Sequence, residues 1–370
     1  MGYPPLFGLL WPTCTDAPAQ VADWHALNRS AVQHRLRPLL HKRVGHLAPP
    51  ELAAQWEQSY HRAGMRALYQ RAGLIRVTRV LAAAGIEAVA LKGAVFVWRR
   101  GSDPALRPMR DLDLLVAEDR ALEAHRLLRE VGFAGEAATR LTDDKHLPGL
   151  TGPNGVHVEI HTRLIDAVSP EWSRRDAVFR HAALGRAERQ GEVLVMAPGD
   201  TLLHAILHAV LDHQFNNGPL LLLDIAALVG TGRIDWPQFW NLAAETGGTR
   251  ACQLALCLAQ DCLPGLAVDW CGNAPNDLTP AMLHDAGAMM LVDMDRRSEL
   301  GVAGQMARLR MGERFARLRK QIGRVSARAD SGAAGPGRAA LVRRYLAALL
   351  GRAERGHIVR SLAVAKWLKE

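Results

Sequence analysis

Residues 106–116 read LRPMRDLDLLV, which puts two acids at alternate positions inside a run of leucines. A strand turns successive side chains to opposite faces, so Asp111 and Asp113 share one face while Leu112 and Leu114 share the other. Two carboxylates that close repel each other unless a cation, a proton or an arginine sits between them. A third acid has the same setting. In VHVEIHTRL, His157, Glu159 and His161 alternate with Val158 and Ile160, which puts Glu159 on the polar face of a half-buried strand. If the two strands lie side by side, Asp111, Asp113 and Glu159 make a carboxylate cluster. Hard divalent cations such as Mg²⁺ prefer carboxylate oxygens and keep sites for water and substrate phosphates. Two such ions, at about 3.5–4 Å, activate an attacking oxygen and stabilise a leaving one in phosphoryl transfer. The upstream VALKGAVF suits the same chemistry. Gly93 would let backbone approach a phosphate, the helix after it would aim N–H groups at an anion, and Lys92, Arg107 and Arg110 would surround a triphosphate with positive charge.

The elements needed to hold these residues are legible in the pattern. From Asp23 to Ala84 apolar residues recur at three- and four-residue intervals, a helical region that Gly85 ends as a C-cap. IEAVALKG reads as a strand, AVFVWRRG as a short helix, DLDLLVA as a second strand and EDRALEAHRLLREVG as an amphipathic helix with acids in its first turn. A Pro-Asn-Gly turn then leads into the Glu159 strand, and EVLVMA at 192–197 reads as one more strand. From Pro198 onward the pattern is helical, opened by Asp200 as N-cap, with further helices expected around 220–230, 236–246, 249–262, 280–295, 299–322 and 338–350. SARADSGAAGPGRAA reads as a flexible linker. The fold class expected is α+β: a small mixed-sheet core (85–198) between an N-terminal helical arm (1–84) and a C-terminal helical domain with a basic tail (199–370).

At this point the chain resembles a known family. ALKGAVFVWRRGSDPALRPMRDLDLLV, then VHVEIHTRL, then MAPGDTLLHAILHAVLDH and LLLDIAALV are similar to the uncharacterised bacterial nucleotidyltransferase-like family of the DNA polymerase beta-type superfamily. The resemblance spans roughly residues 70–230. It implies a nucleotidyltransferase core in which Asp111 and Asp113 hold catalytic Mg²⁺ ions, Glu159 is the third carboxylate near the acceptor hydroxyl, and Lys92-Gly93 lies against the nucleotide phosphates. ATP or another nucleoside triphosphate would be the substrate. Two departures stand out. Lys-Gly replaces the superfamily's usual Gly-Ser or Gly-Gly, and Arg110 stands where the family often has Gly, with Thr162 where an aromatic is frequent.

The competing reading is an inert shell, in which Asp111 and Asp113 only pair with Arg107 and Arg110 and the protein binds nucleotide, or a partner, without turnover. A third is an RNA-end modifying enzyme that uses the basic helices beyond Arg308, RLRMGERFARLRKQIGR among them, on nucleic acid or an anionic surface. The acceptor cannot be read from residue types; a small hydroxylated molecule, a peptide or protein side chain and an RNA end rank in that order.

The remaining histidines and acids carry weaker signals. His157 and His161 flank Glu159 and would orient it or touch substrate, and His146, in DDKHLPGL, lies in the loop before the Glu159 strand. His204 and His208 share a helix face with Asp212 one turn on, but H-E-x-x-H is absent and packing is the expected role. Asp224, within a leucine run, is expected to make a helix–helix hydrogen bond.

Bulk properties bound the class. The 370 residues carry a formal net charge of +9 and are 49% hydrophobic, enough for a sizeable core and suited to an anionic partner. Five cysteines without a C-x-x-C pair point to a reducing cytoplasm rather than a disulfide framework. MGYPPLFGLLWPTC is too short and Pro-broken for a signal peptide, and no apolar run reaches the ~20 residues of a spanning helix.

Overall fold

The computed structural model describes residues 23–98, 103–142, 144–166, 169–215, 217–292 and 364–368. Helices α1 (Trp24–Gln33), α2 (Arg37–Val44) and α3 (Pro50–Ala83) precede the sheet. Asp23 caps α1 by accepting from the Ala26 N–H at 2.8 Å. Gly85, at φ 68°, closes α3, with the Ile86 N–H returning to the Leu81 carbonyl at 2.9 Å.

The sheet is six-stranded and mixed, in the order β3-β4-β2-β1-β6-β5. Its strands are β1 (Ala88–Ala90), β2 (Asp111–Val116), β3 (Leu150–Thr151), β4 (His157–His161), β5 (Glu188–Gln190) and β6 (Val193–Val195). Within it β2 runs parallel to β4 and β1 parallel to β6, while β1 and β2 are antiparallel. The short α4 (Gly93–Trp98) follows β1, and α5 (Ala121–Glu130) follows β2. The α+β class and the mixed sheet are as expected from the pattern.

Alternation decides what each sheet face meets. Leu112, Leu114, Val158 and Ile160 are buried with Leu74, Val77 and Leu81 of α3 and Leu128 of α5. Leu91, Phe96, Leu115 and Met196 join the helical core instead. That core is built from α1, α2, the first turns of α3, α6 (Pro170–Gly185), α7 (Pro198–Leu207), α8 (Leu220–Val229), α9 (Trp236–Glu245), α10 (Thr249–Cys262) and α11 (Pro280–Met290). A π-helical turn, His208–Asp212, extends α7. No described helix is long and apolar enough to cross a membrane.

Several elements differ from the sequence expectation, the two-residue strand β3 among them, which the pattern did not announce. Helix α6 was not anticipated, because its inward stripe consists of Asp176, Phe179 and Ala183, with an acid in an apolar place. Asp176 is satisfied there by the Leu164 and Ile165 N–H groups at 2.7 and 2.9 Å and by Arg180. The edge strand β5 reads ERQ and has no apolar signal at all. Asp200 is not the cap of α7: the helix starts two residues earlier at Pro198, and the Asp200 carboxylate is held by Arg186 at 2.6 and 3.0 Å. The expected helices 299–322 and 338–350, the linker and the N-terminal apolar stretch lie outside the described residues.

Candidate active site

The parallel pairing of β2 with β4 sets Asp111 beside His157 and Asp113 beside Glu159. Because both strands alternate in phase, the two aspartates, Glu159, His157 and His161 share one sheet face, with the leucine core on the other. His161 donates from Nε2 to Asp113 Oδ1 at 2.7 Å, and Lys92 Nζ donates to the same oxygen at 3.0 Å. Glu159 lies 3.7 Å from the Nε2 of His161, 3.7 Å from that of His146 and 3.9 Å from that of His157. His146 reaches the site because its loop adds a bridge beside the end of β4, the Leu147 N–H donating to the Ile160 carbonyl at 2.9 Å.

Lys92 sits in the turn between β1 and α4 with φ of 47°, a left-handed conformation that costs a lysine energy and that recurs at functional sites. Gly93 next to it is required for packing. A Cβ there would meet the Cβ and Sδ of buried Met109 at 2.9 Å. The loop that delivers Asp111 is pinned from both sides. From α3, Gln70 donates to the Met109 carbonyl at 3.2 Å and Arg66 to the Arg110 carbonyl at 3.1 Å. From α8, Asp224 takes Arg107 in a two-pronged pair at 2.7 and 2.8 Å.

Arg107 is thus engaged 117 residues away in sequence, and Asp224 makes an ion pair to the loop instead of the helix–helix hydrogen bond expected of it. Arg110 is exposed, and among the described residues neither arginine makes an ion pair with Asp111 or Asp113. The cation on Asp113 is Lys92.

Electrostatics separates the two aspartates. Burial works against the Asp113 carboxylate, but Lys92 and the His161 hydrogen bond outweigh it and hold the group well below the usual carboxylate range. Burial, then the charges of Asp113 and Glu159, push the Asp111 carboxyl up, with Lys92 opposing. For Glu159 burial is outweighed by His161 and His146, and its carboxyl is lowered. Asp111 therefore carries the repulsion that the cluster leaves uncompensated.

Asp113, Glu159 and His161 present ligand atoms within 4.8 Å of one another. With Asp111 on the same face, the donor set is rich in hard oxygen and carries excess negative charge, which fits a divalent cation of the Mg²⁺ type.

The aspartates line a cavity of about 160 Å³ whose far wall comes from the helical core. Lys92, Gly93, Arg107, Arg110, Asp111 and Asp113 face it from the sheet side, and His208, Asn217, Leu220, Leu221 and Asp224 from the helices. A larger groove of about 1160 Å³ runs along the exposed face of α3 and contains none of the acids.

Sequence reasoning missed Arg35, Asn217, and the buried pair of Lys145 with Asp212 at 2.5 Å, which also holds His208 at 3.3 Å. Lys145 adjoins His146 in the DDKH stretch, so a signal was present there. Nothing local marks Asn217.

Residues 20–264 match the sequence model of a family described as an uncharacterised nucleotidyltransferase, and the chain belongs to that family. The resemblance read from the motifs is borne out at that level. No curated protein and no solved structure matches the chain.

Proposed function

We propose that the protein is a Mg²⁺-dependent nucleotidyltransferase that moves a nucleoside monophosphate from a nucleoside triphosphate to a hydroxyl acceptor, a small molecule or a peptide or protein side chain. One observation carries the reading. Three carboxylates share a face of adjacent parallel strands with a lysine at their edge, and two of them, Asp111 and Asp113, line a cavity that Glu159 does not line. Asp111 and Asp113, with Glu159, would hold the metal, which when bound neutralises phosphate charge and favours an attacking oxygen. The acceptor oxygen forms a bond to the α-phosphorus as the bond to the β-phosphate oxygen breaks, and pyrophosphate leaves. Glu159 takes the acceptor's proton, a task for which an ionised carboxylate is suited. Lys92 and Arg110 meet the phosphates, and Arg107, tied to Asp224, keeps the Asp111 loop in place.

A second reading, a nucleotide-binding shell without turnover, is favoured by the two partners already on Asp113 Oδ1. The two are separated by incubating the protein with Mg²⁺ and α-labelled or γ-labelled triphosphates in a metabolite and protein extract. Transfer of the α label alone, abolished by Glu159→Gln, is the outcome expected of the enzyme. Tight nucleotide binding with no label transferred from either position identifies the shell.

A further inference from the structure

The helical wall of the site cavity carries a histidine that the proposed chemistry does not use. His208 lines the cavity together with Asp111 and Asp113. Asp212 Oδ2 sits 3.3 Å from its Nδ1 and takes Lys145 Nζ at 2.5 Å. A carboxylate paired with a lysine only accepts, so Nδ1 carries the proton between them. Burial first, and the Lys92 charge next, hold the ring well below its ordinary protonation range, so it is neutral. A neutral imidazole with its proton on Nδ1 presents a bare lone pair at Nε2. Among the described residues nothing pairs with that Nε2, and it is not one of the sealed unpaired atoms. The side chain as a whole is 19% exposed.

The chain around this ring is built to hold it. His213 meets it edge-on with ring centroids 4.4 Å apart, and His204 stands 6.1 Å away. His208 and Asp212 are the two ends of the π-helical turn, a distortion that recurs at functional sites. Gln214 and Phe215, consecutive non-glycine residues at φ 47° and 62°, follow directly, and the Phe215 N–H returns to the Ala209 carbonyl at 2.7 Å. Backbone held in such conformations by its surroundings is concentrated where ligands are gripped. An acceptor atom in this cavity has no use for phosphate oxygens, which Lys92 and Arg110 can meet from the same walls. Nor does it belong to the cation-binding group, whose ligand atoms converge from Asp113, Glu159 and His161. What it suits is an O–H. In the proposed reaction the acceptor's hydroxyl gives its proton to Glu159, whereas the hydroxyls of the nucleotide's ribose keep theirs.

We propose that His208 reads the sugar of the nucleoside triphosphate, its Nε2 accepting a hydrogen bond from a ribose hydroxyl. This rests on the nucleotidyltransferase reading and deepens it. A deoxyribose offers no O–H at the position read, so Nε2 would be left without its partner and the site would prefer ribonucleotides.

The full-length protein with Mg²⁺ is titrated by calorimetry with ATP, GTP, CTP and UTP and with the 2′-deoxy and 3′-deoxy forms of each, as wild type, His208→Asn and His208→Leu. Asparagine places an amide N–H near the position of Nδ1, so it keeps a donor for Asp212 and removes Nε2. Wild type is expected to bind a ribonucleotide about tenfold more tightly than one of its deoxy forms, the scale of one hydrogen bond left unmade. The 2′ and 3′ arms tell which hydroxyl is read. Both variants should bind the ribonucleotide only as tightly as wild type binds that deoxy form. Their affinity for the deoxy form should match that of wild type, which also shows that they are folded. Equal affinity of wild type for the ribonucleotides and both deoxy series would overturn the inference and leave the transferase reading standing. So would variants that keep the wild-type preference. If no nucleotide of any series binds wild type, the transferase reading itself falls, and the inference with it.

Discussion

Arg107 and Asp224 are the joint between the loop that carries Asp111 and the helix that closes the cavity, and the joint can be cut at one atom pair. Asp224→Asn keeps the shape of the side chain and removes its charge. The Asp224 side chain is 7% exposed and that of Arg107 22% exposed, so the guanidinium would be left mostly buried without its partner. Removing one member of a buried pair costs about 3–5 kcal/mol, and the partial exposure of Arg107 reduces this to roughly 2–4 kcal/mol. Coulomb's law agrees: two charges about 4 Å apart at an effective dielectric near 20 attract by about 4 kcal/mol. Burial depresses the arginine's basicity, yet Asp224, with smaller help from Asp113 and Asp111, more than offsets it. The freed guanidinium is therefore drawn toward the two aspartates, and Mg²⁺-dependent nucleotide affinity should fall along with stability. The assay is urea unfolding at pH 7 of wild type, Asp224→Asn, Arg107→Met and the double variant, each with its m-value. The double variant should be more stable than the sum of the single losses predicts, by about 1–3 kcal/mol. A loss under about 0.5 kcal/mol in Asp224→Asn, or strict additivity in the cycle, would refute the clamp.

Three further outcomes follow from the geometry. Gly93→Ala should destabilise by about 1–3 kcal/mol in thermal or urea unfolding, through its contact with Met109, and Met109→Ala in the same chain should recover part of the loss. His204 is buried and, with His208, held well below its ordinary value, first by desolvation and then by the Lys92 charge, so both stay neutral in the fold while the unfolded chain takes protons below pH ~6.5. Stability should be undiminished above that pH and fall beneath it by up to about 1.4 kcal/mol per pH unit for each histidine; a flat profile between pH 7 and 5 would contradict this. Asp113 acts in the same direction at lower pH: its lowered carboxyl contributes stability above pH ~3.9, lost as pH falls toward the folded value. Lys92→Met should shrink that contribution and move the acid limb of unfolding to higher pH, read from urea midpoints between pH 3 and 7.

The strand pair was legible because a period of two is a local signal. Asp111, Asp113 and Glu159 each alternate with aliphatic residues, and their parallel register then follows from burying the leucines. What the sequence hid is non-local or looks out of place. Lys92 meets Asp113 across the sheet, and Arg107 meets Asp224 across 117 residues; neither pairing leaves a mark near either residue. Helix α6 escaped because an acid holds a core position, its charge satisfied by two backbone N–H groups of a loop that no pattern announces. Asn217 was passed over for a related reason. A polar residue in a polar stretch becomes informative only when the fold has buried one of its atoms, here Oδ1, without a partner among the described residues.

The most direct measurement is calorimetry of wild type and of Asp111→Asn/Asp113→Asn with ATP, GTP, CTP and UTP, each with and without Mg²⁺. A metal and nucleotide site on the shared face of β2 and β4 requires binding that needs Mg²⁺ in wild type and vanishes in the variant. Wild type that binds none of the four, or a variant that binds as wild type does, would show that Asp113 serves only as the partner of Lys92 and His161 and that the shared face holds no metal and nucleotide site.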